Sequence, residues 1–80
     1  MSVTVLLFAS YADALGTSRL SLEVGDGATV GDALTRLRER AGARALPPEP
    51  LVAVNERYAR TGDTLHAGDT LAIIPPVAGG

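Results

Sequence analysis

Residues 3–9, Val-Thr-Val-Leu-Leu-Phe-Ala, are rich in β-forming types and put Val3, Val5 and Leu7 on one face. Thr4, Leu6 and Phe8 fall on the other face, which is more apolar than a solvated face should be. Residues 10–18 carry Asp13 and Gly16 and read as a connection. Residues 19–24 then alternate cleanly, with Leu20, Leu22 and Val24 pointing one way and Arg19, Ser21 and Glu23 the other. The two runs are expected to pair as an antiparallel hairpin with a long loop. Gly25-Asp26-Gly27 is a turn by composition, and Thr29 to Asp32 forms a capping-box pattern in which aspartate is the reciprocal acceptor. Val30, Ala33, Leu34, Leu37 and Ala41 recur at helical spacing, Arg36, Glu39 and Arg40 face outward, and Gly42 is the expected stop. Asp32 in the first turn and Arg36, Arg38 and Arg40 toward the end match the helix dipole.

Three prolines between Ala43 and Pro50 exclude regular structure there. Residues 51–54 predict a short strand with Val52 and Val54 toward the core. Residues 55–63 are polar and turn-like around Tyr58, whose burial the pattern leaves open. Residues 65–69 make another tight turn, and Thr70 to Ile74 is the last strand, ended by Pro75 and Pro76. The order predicts an α+β domain, one helix packed on a mixed four- to five-stranded sheet over residues 1–74, with residues 75–80 as a flexible tail. A hairpin followed by a helical crossover returns to the middle of the sheet, so the first and last strands are expected to be parallel central neighbours. Alternation then places Leu6 and Phe8 beside Ala72 and Ile74 on the face away from the helix. One helix cannot cover both faces of a sheet, so these residues, extended by Tyr58, form a candidate partner-binding patch with Phe8 as its anchor.

At 80 residues and 8.2 kDa, with 46% hydrophobic and 20% charged residues, the chain is one small domain. A net charge of −2 argues against a nucleic-acid partner, and no apolar run is long enough to span a bilayer. The start lacks the features of a signal peptide, so the expected location is cytoplasmic. There is no cysteine and a single histidine, His66, expected as a solvated turn residue. Disulfides, cysteine-ligated zinc and a cysteine nucleophile are excluded, and no metal site is expected. Asp26, Asp63 and Asp69 read as turn formers. All seven basic residues are arginine, which removes Schiff-base chemistry and any side-chain amine able to accept an isopeptide bond. Arg36, Arg38, Arg40 and Arg44 read as a solvated helix face. A self-sufficient enzyme is not expected, nor is a bound cofactor.

The candidate chemistry lies at the end, Pro75-Pro-Val-Ala-Gly-Gly80. Two closing glycines arise by chance in about one chain in 200 at average glycine usage, and taken alone they are equally compatible with a flexible end. Here a strand stops at two prolines, and a tail poor in side chains follows. Extended, Pro75 to Gly80 reaches about 20 Å, the geometry of an arm made to enter a narrow channel in a partner. Pro75, Pro76, Val77, Ala78 and Gly79 would occupy that channel, and Gly80 would present its carboxylate. Glycine suits the tip because a Cβ would obstruct the channel walls. A carboxylate is an unreactive acyl group; adenylation supplies a leaving group, and attack by a sulfur donor would yield a thiocarboxylate.

The opening strand ending in Leu7-Phe8-Ala9, Ala14-Leu15-Gly16, Ala28-Thr29-Val30, Val54-Asn55, the Leu65-x-x-Gly68-Asp69 turn and the Pro-Pro-Val-Ala-Gly-Gly end together resemble the small subunits of molybdopterin synthase, β-grasp (ubiquitin-like) sulfur carriers. The likeness covers essentially the whole chain. It implies adenylation of Gly80 by a ubiquitin-activating-like adenylyltransferase that uses ATP, thiocarboxylation from a sulfur donor system, and insertion of the tail into the large synthase subunit. There the sulfur would pass to cyclic pyranopterin monophosphate, within a heterotetramer of two small and two large subunits. The last strand ends Ile73-Ile74 where such proteins often carry aromatics, which puts an aromatic anchor there in doubt. Alternatives are a related carrier for thiazole, cysteine or tRNA thiolation, and a non-carrier β-grasp interaction module.

Overall fold

Alternation along the first two apolar runs produces the expected pairing. β1 (Ser2–Leu7) runs antiparallel to β2 (Arg19–Glu23), with Val3 opposite Leu22 and Val5 opposite Leu20. The computed structural model describes residues 1–40, 46–47 and 50–75. The last strand, β5 (Thr70–Ile74), lies parallel to β1, Val5 against Leu71 and Leu7 against Ile73. On its other side β5 pairs antiparallel with β3 (Leu51–Val54), which pairs in turn with β4 (Arg57–Ala59). The strand order β2-β1-β5-β3-β4 is the mixed sheet of a β-grasp domain, with β5 at its centre.

The crossover between the two halves is α2 (Val30–Arg38). Its capping box is complete: the Asp32 N–H donates to Thr29 Oγ1 at 3.2 Å, and the Thr29 N–H donates to Asp32 Oδ2 at 3.0 Å. Val30, Ala33, Leu34 and Leu37 are buried against Val3, Val5, Leu7, Leu22, Val52, Leu71 and Ile73, which makes one core on one face of the sheet. The helix ends at Arg38 with Glu39 as C-cap, short of the expected stop. Ala41, Gly42 and Arg44 lie outside the described residues. Arg38 is not merely solvated, since its guanidinium donates to the Pro47 carbonyl at 2.5 Å and tethers the helix end to the segment that follows.

Two expectations need correction. The stretch read as a connection contains a second helix, α1 (Ala9–Leu15), so two helices rather than one pack on the sheet. Its alanines favour helix, and Tyr11 drops into the core with Ala12 and Leu15 beside it. Gly16 ends it in the left-handed conformation, its N–H donating to the Ala12 carbonyl. The segment read as a turn around Tyr58 is a β3–β4 hairpin. Asn55 and Glu56 link the strands with φ of 50° and 71°, the pair of positive values that a type I′ turn requires.

Because Leu34 and Leu37 are closed off from solvent beneath the sheet, truncating either leaves a cavity. Leu34→Ala and Leu37→Ala should each cost about 2–5 kcal/mol in urea-induced unfolding, a large share of the stability of so small a domain.

Candidate functional site

Both helices sit on the core side, so the opposite face of the sheet has no covering layer among the described residues. Strand register decides what it presents. Arg19 stands opposite Leu6, Leu6 opposite Ala72, Ala72 opposite Ala53 and Ala53 opposite Tyr58, a row that crosses all five strands. Leu51 faces Ile74 one step along. The central positions are alanines, whereas Phe8 and Tyr58 rise at either side. Small residues on the floor and aromatic rings on the walls leave a groove of about 580 Å3, lined by Phe8, Ala53, Glu56, Tyr58, Ala72, Ile74 and Pro75. A second hollow, lined by Leu6, Phe8, Asn55, Glu56, Thr70 and Ala72, adjoins it.

Every residue of the expected patch, Leu6, Phe8, Tyr58, Ala72 and Ile74, therefore borders this face. Exposure is uneven: Tyr58 is 76% and Phe8 47% accessible, while Leu6, Ala72 and Ile74 are half-buried in the floor. Alternation in the third strand could have added Leu51, 50% exposed, and Ala53, because both oppose the core-facing Val52. Glu56 carried no apolar signal and was not anticipated. Pro75 borders the groove at the point where the last strand leaves the sheet. Pro76, Val77, Ala78, Gly79 and Gly80 lie outside the described residues.

A polar clasp holds one end of this face. Asn55 Nδ2 donates to Asp69 Oδ1 at 2.9 Å, and the Thr70 N–H donates to Asn55 Oδ1 at 2.9 Å. The Asn55 N–H donates to the Thr70 carbonyl, and the Thr4 N–H to the Asp69 carbonyl. The β3–β4 turn, the start of β5 and β1 are thus tied together around two side chains. Asp69 also accepts from the His66 N–H at 2.8 Å, closing the turn in which Gly68 takes a φ of 83°. That backbone hydrogen bond first, and the Asn55 amide second, hold the Asp69 carboxyl below the usual aspartate range. His66 is exposed, its ring 3.8 Å from Asp69, and it belongs to this turn. Asp63 plays the same turn-forming part by accepting from the Arg60 N–H at 2.9 Å.

The sheet order, the capped crossover helix and the bare face define a ubiquitin-like β-grasp domain, and comparison with known proteins agrees. Residues 5–80 match the ThiS family, and the chain belongs to that family. It is 34% identical to a molybdopterin synthase sulfur carrier subunit of Chlamydomonas reinhardtii, with all of both chains covered. Among solved structures, the crystal structure of SAMP1 from Haloferax volcanii superposes with a TM-score of 0.87 at 35% identity, again over the whole of both chains. The BexX/CysO complex of Amycolatopsis orientalis contains a chain that is 30% identical with a TM-score of 0.70, covering 98% of this chain and 99% of that one.

The Asp69 clasp makes a pH prediction. Its depressed pKa means the ionised form is favoured by folding, so its contribution is full above the unfolded-state value and fades as pH falls through the folded one. Urea midpoints compared between neutral pH and about pH 3 should fall less for Asp69→Asn than for the unmutated chain. An equal fall in both would assign the acid sensitivity to other carboxylates.

Proposed function

We propose that this protein is a sulfur carrier, and that Gly80 is its reactive end. The observation that carries this reading is the central parallel pair: β1 and β5 finish at the same end of the sheet, so the chain leaves it at Pro75 beside exposed Phe8 and the apolar groove. A partner seated on that face lies within reach of whatever follows Pro75, about 15–18 Å of extended chain over five residues. Membership in the ThiS family and relatives named as sulfur carrier subunits point the same way.

In this reading a ubiquitin-activating-like adenylyltransferase joins the Gly80 carboxylate to the AMP portion of ATP and releases pyrophosphate. A hydrosulfide equivalent from a sulfur donor system then attacks the acyl carbon. A C–S bond forms, the C–O bond to phosphate breaks, and AMP leaves with its electron pair. The tail, Pro75 to Gly80, delivers the thiocarboxylate into the large subunit of molybdopterin synthase, where sulfur passes to cyclic pyranopterin monophosphate. The small subunit supplies the sulfur, the docking face and the reach, and its partners supply the catalytic groups. A carrier with the same end chemistry and a different acceptor is the second reading, favoured by the similarity to a chain of the BexX/CysO complex.

Incubation with ATP, sulfide and the activating enzyme from the same genome should raise the intact mass by the exchange of one oxygen for sulfur. Deleting Gly80, or extending the chain beyond it, should abolish that gain while leaving the thermal midpoint unchanged. An unmodified mass for the intact chain would refute the carrier reading; sulfur transfer to cyclic pyranopterin monophosphate in the presence of the large subunit separates the first reading from the second. Phe8→Asp should keep the fold, since the ring lies outside the core, yet weaken binding to the large subunit by about tenfold or more. Binding within about twofold of the unmutated chain would remove this face from the interface.

A further inference from the structure

Among the described residues, three other than glycine adopt positive φ: Ala9, Asn55 and Glu56. All three adjoin the bare face, since Ala9 follows Phe8 and the other two line the hollows beside it. Asn55 has a folding reason to be there, because asparagine tolerates this conformation and its amide closes the clasp on Asp69 and Thr70. Glu56 has none. At φ 71° it occupies the second turn position, where glycine fits without strain. Its carboxylate makes no hydrogen bond or ion pair with any described residue, although Arg57 is its chain neighbour and Arg60 lies four positions on. It nonetheless lines both hollows, at the edge of a floor otherwise made of Ala53, Ala72 and Ile74. The hairpin needs the positive φ but not a glutamate to adopt it, and this choice of residue keeps a charge without a partner among the described residues at the rim of an apolar groove.

We infer that Glu56 is a specificity determinant of the docking face: the protein that covers the groove sets an arginine or lysine against this carboxylate while its apolar side chains fill the space between Phe8 and Tyr58. This rests on the docking reading above and adds the chemistry of the partner's surface. The rim position makes the pair a steering contact, felt in the association rate and screened by salt. An acidic or purely apolar partner surface would leave the Glu56 charge desolvated and unpaired, so the same residue discriminates against wrong partners.

The test measures association of the purified large synthase subunit with the unmutated chain, Glu56→Gln, Glu56→Lys, Glu56→Gly and Phe8→Asp, at low and high ionic strength. Glu56→Gln should weaken binding about fivefold at low salt, mainly through a slower on-rate, with the gap closing at high salt. Glu56→Lys should weaken it further. Glu56→Gly should bind like Glu56→Gln yet raise the thermal midpoint by about 4 °C or more, because it relieves the backbone; a structural role would lower it. Glu56→Gln with unmutated affinity and salt dependence, or Glu56→Gly with a lowered midpoint, overturns the assignment while leaving the docking face standing. Failure of the unmutated chain to bind, or binding that Phe8→Asp does not alter, overturns the docking reading and the Glu56 assignment with it.

Discussion

The parallel pairing of β1 with β5 is the constraint on which the rest of this molecule depends. Parallel neighbours need a long connection, and here that connection contains everything from α1 through β2 and α2 to β4. The crossover helix must therefore lie across the sheet, and its apolar stripe of Val30, Ala33, Leu34 and Leu37 meets the inward residues of both central strands. The same pairing makes the two strands end together. Phe8 and Pro75, far apart in sequence, become neighbours at one end of the sheet, and the candidate site exists because of that coincidence.

The economy of a small domain shapes the other face. With two short helices available, only one side of a five-stranded sheet can be sealed from water. A side left open would ordinarily carry polar residues at every outward position, as β2 does with Arg19, Ser21 and Glu23. On β1 and β5 the outward residues start polar, with Ser2, Thr4 and Thr70, and turn apolar toward Pro75 with Leu6, Ala72 and Ile74, while β3 adds Leu51 and Ala53. The edge strand β2 obeys solvent, while the ends of β1 and β5 beside Pro75 depart from it. That contrast within a single sheet is the observation on which the proposed docking face rests.

Much of this was legible in the residues because alternation and helical spacing are strong where elements are long and amphipathic. β1, β2, the capped crossover and β5 all announced themselves, and alternation in β1 and β5 was enough to expose the outer patch. α1 was hidden because only Tyr11 of its seven residues is buried and no side chain caps it, so neither periodicity nor a start signal was present. β4 escaped because a three-residue strand offers no period to read, and Asn55-Glu56 lacks the glycine that usually marks a type I′ turn. Glu56 itself was invisible for the same reason: its interest lies in a backbone angle and a missing partner, neither of which composition records. The helix stops before Gly42 because its last turn tightens, the Glu39 and Arg40 N–H groups donating to the Arg36 and Leu37 carbonyls three residues back, a backbone ending that no residue type marks.

In β5, Leu71 and Ile73 answer to the core while Ala72 and Ile74 answer to the groove, so residues adjacent in the chain serve unrelated masters. Substitutions at every second position can reshape the groove without touching the core that keeps the protein folded. A single inserted residue, by contrast, would exchange the two sets and ruin both. Such a strand evolves freely by replacement and hardly at all by insertion or deletion. The lining of the groove is thus open to change while the length of the last strand is not.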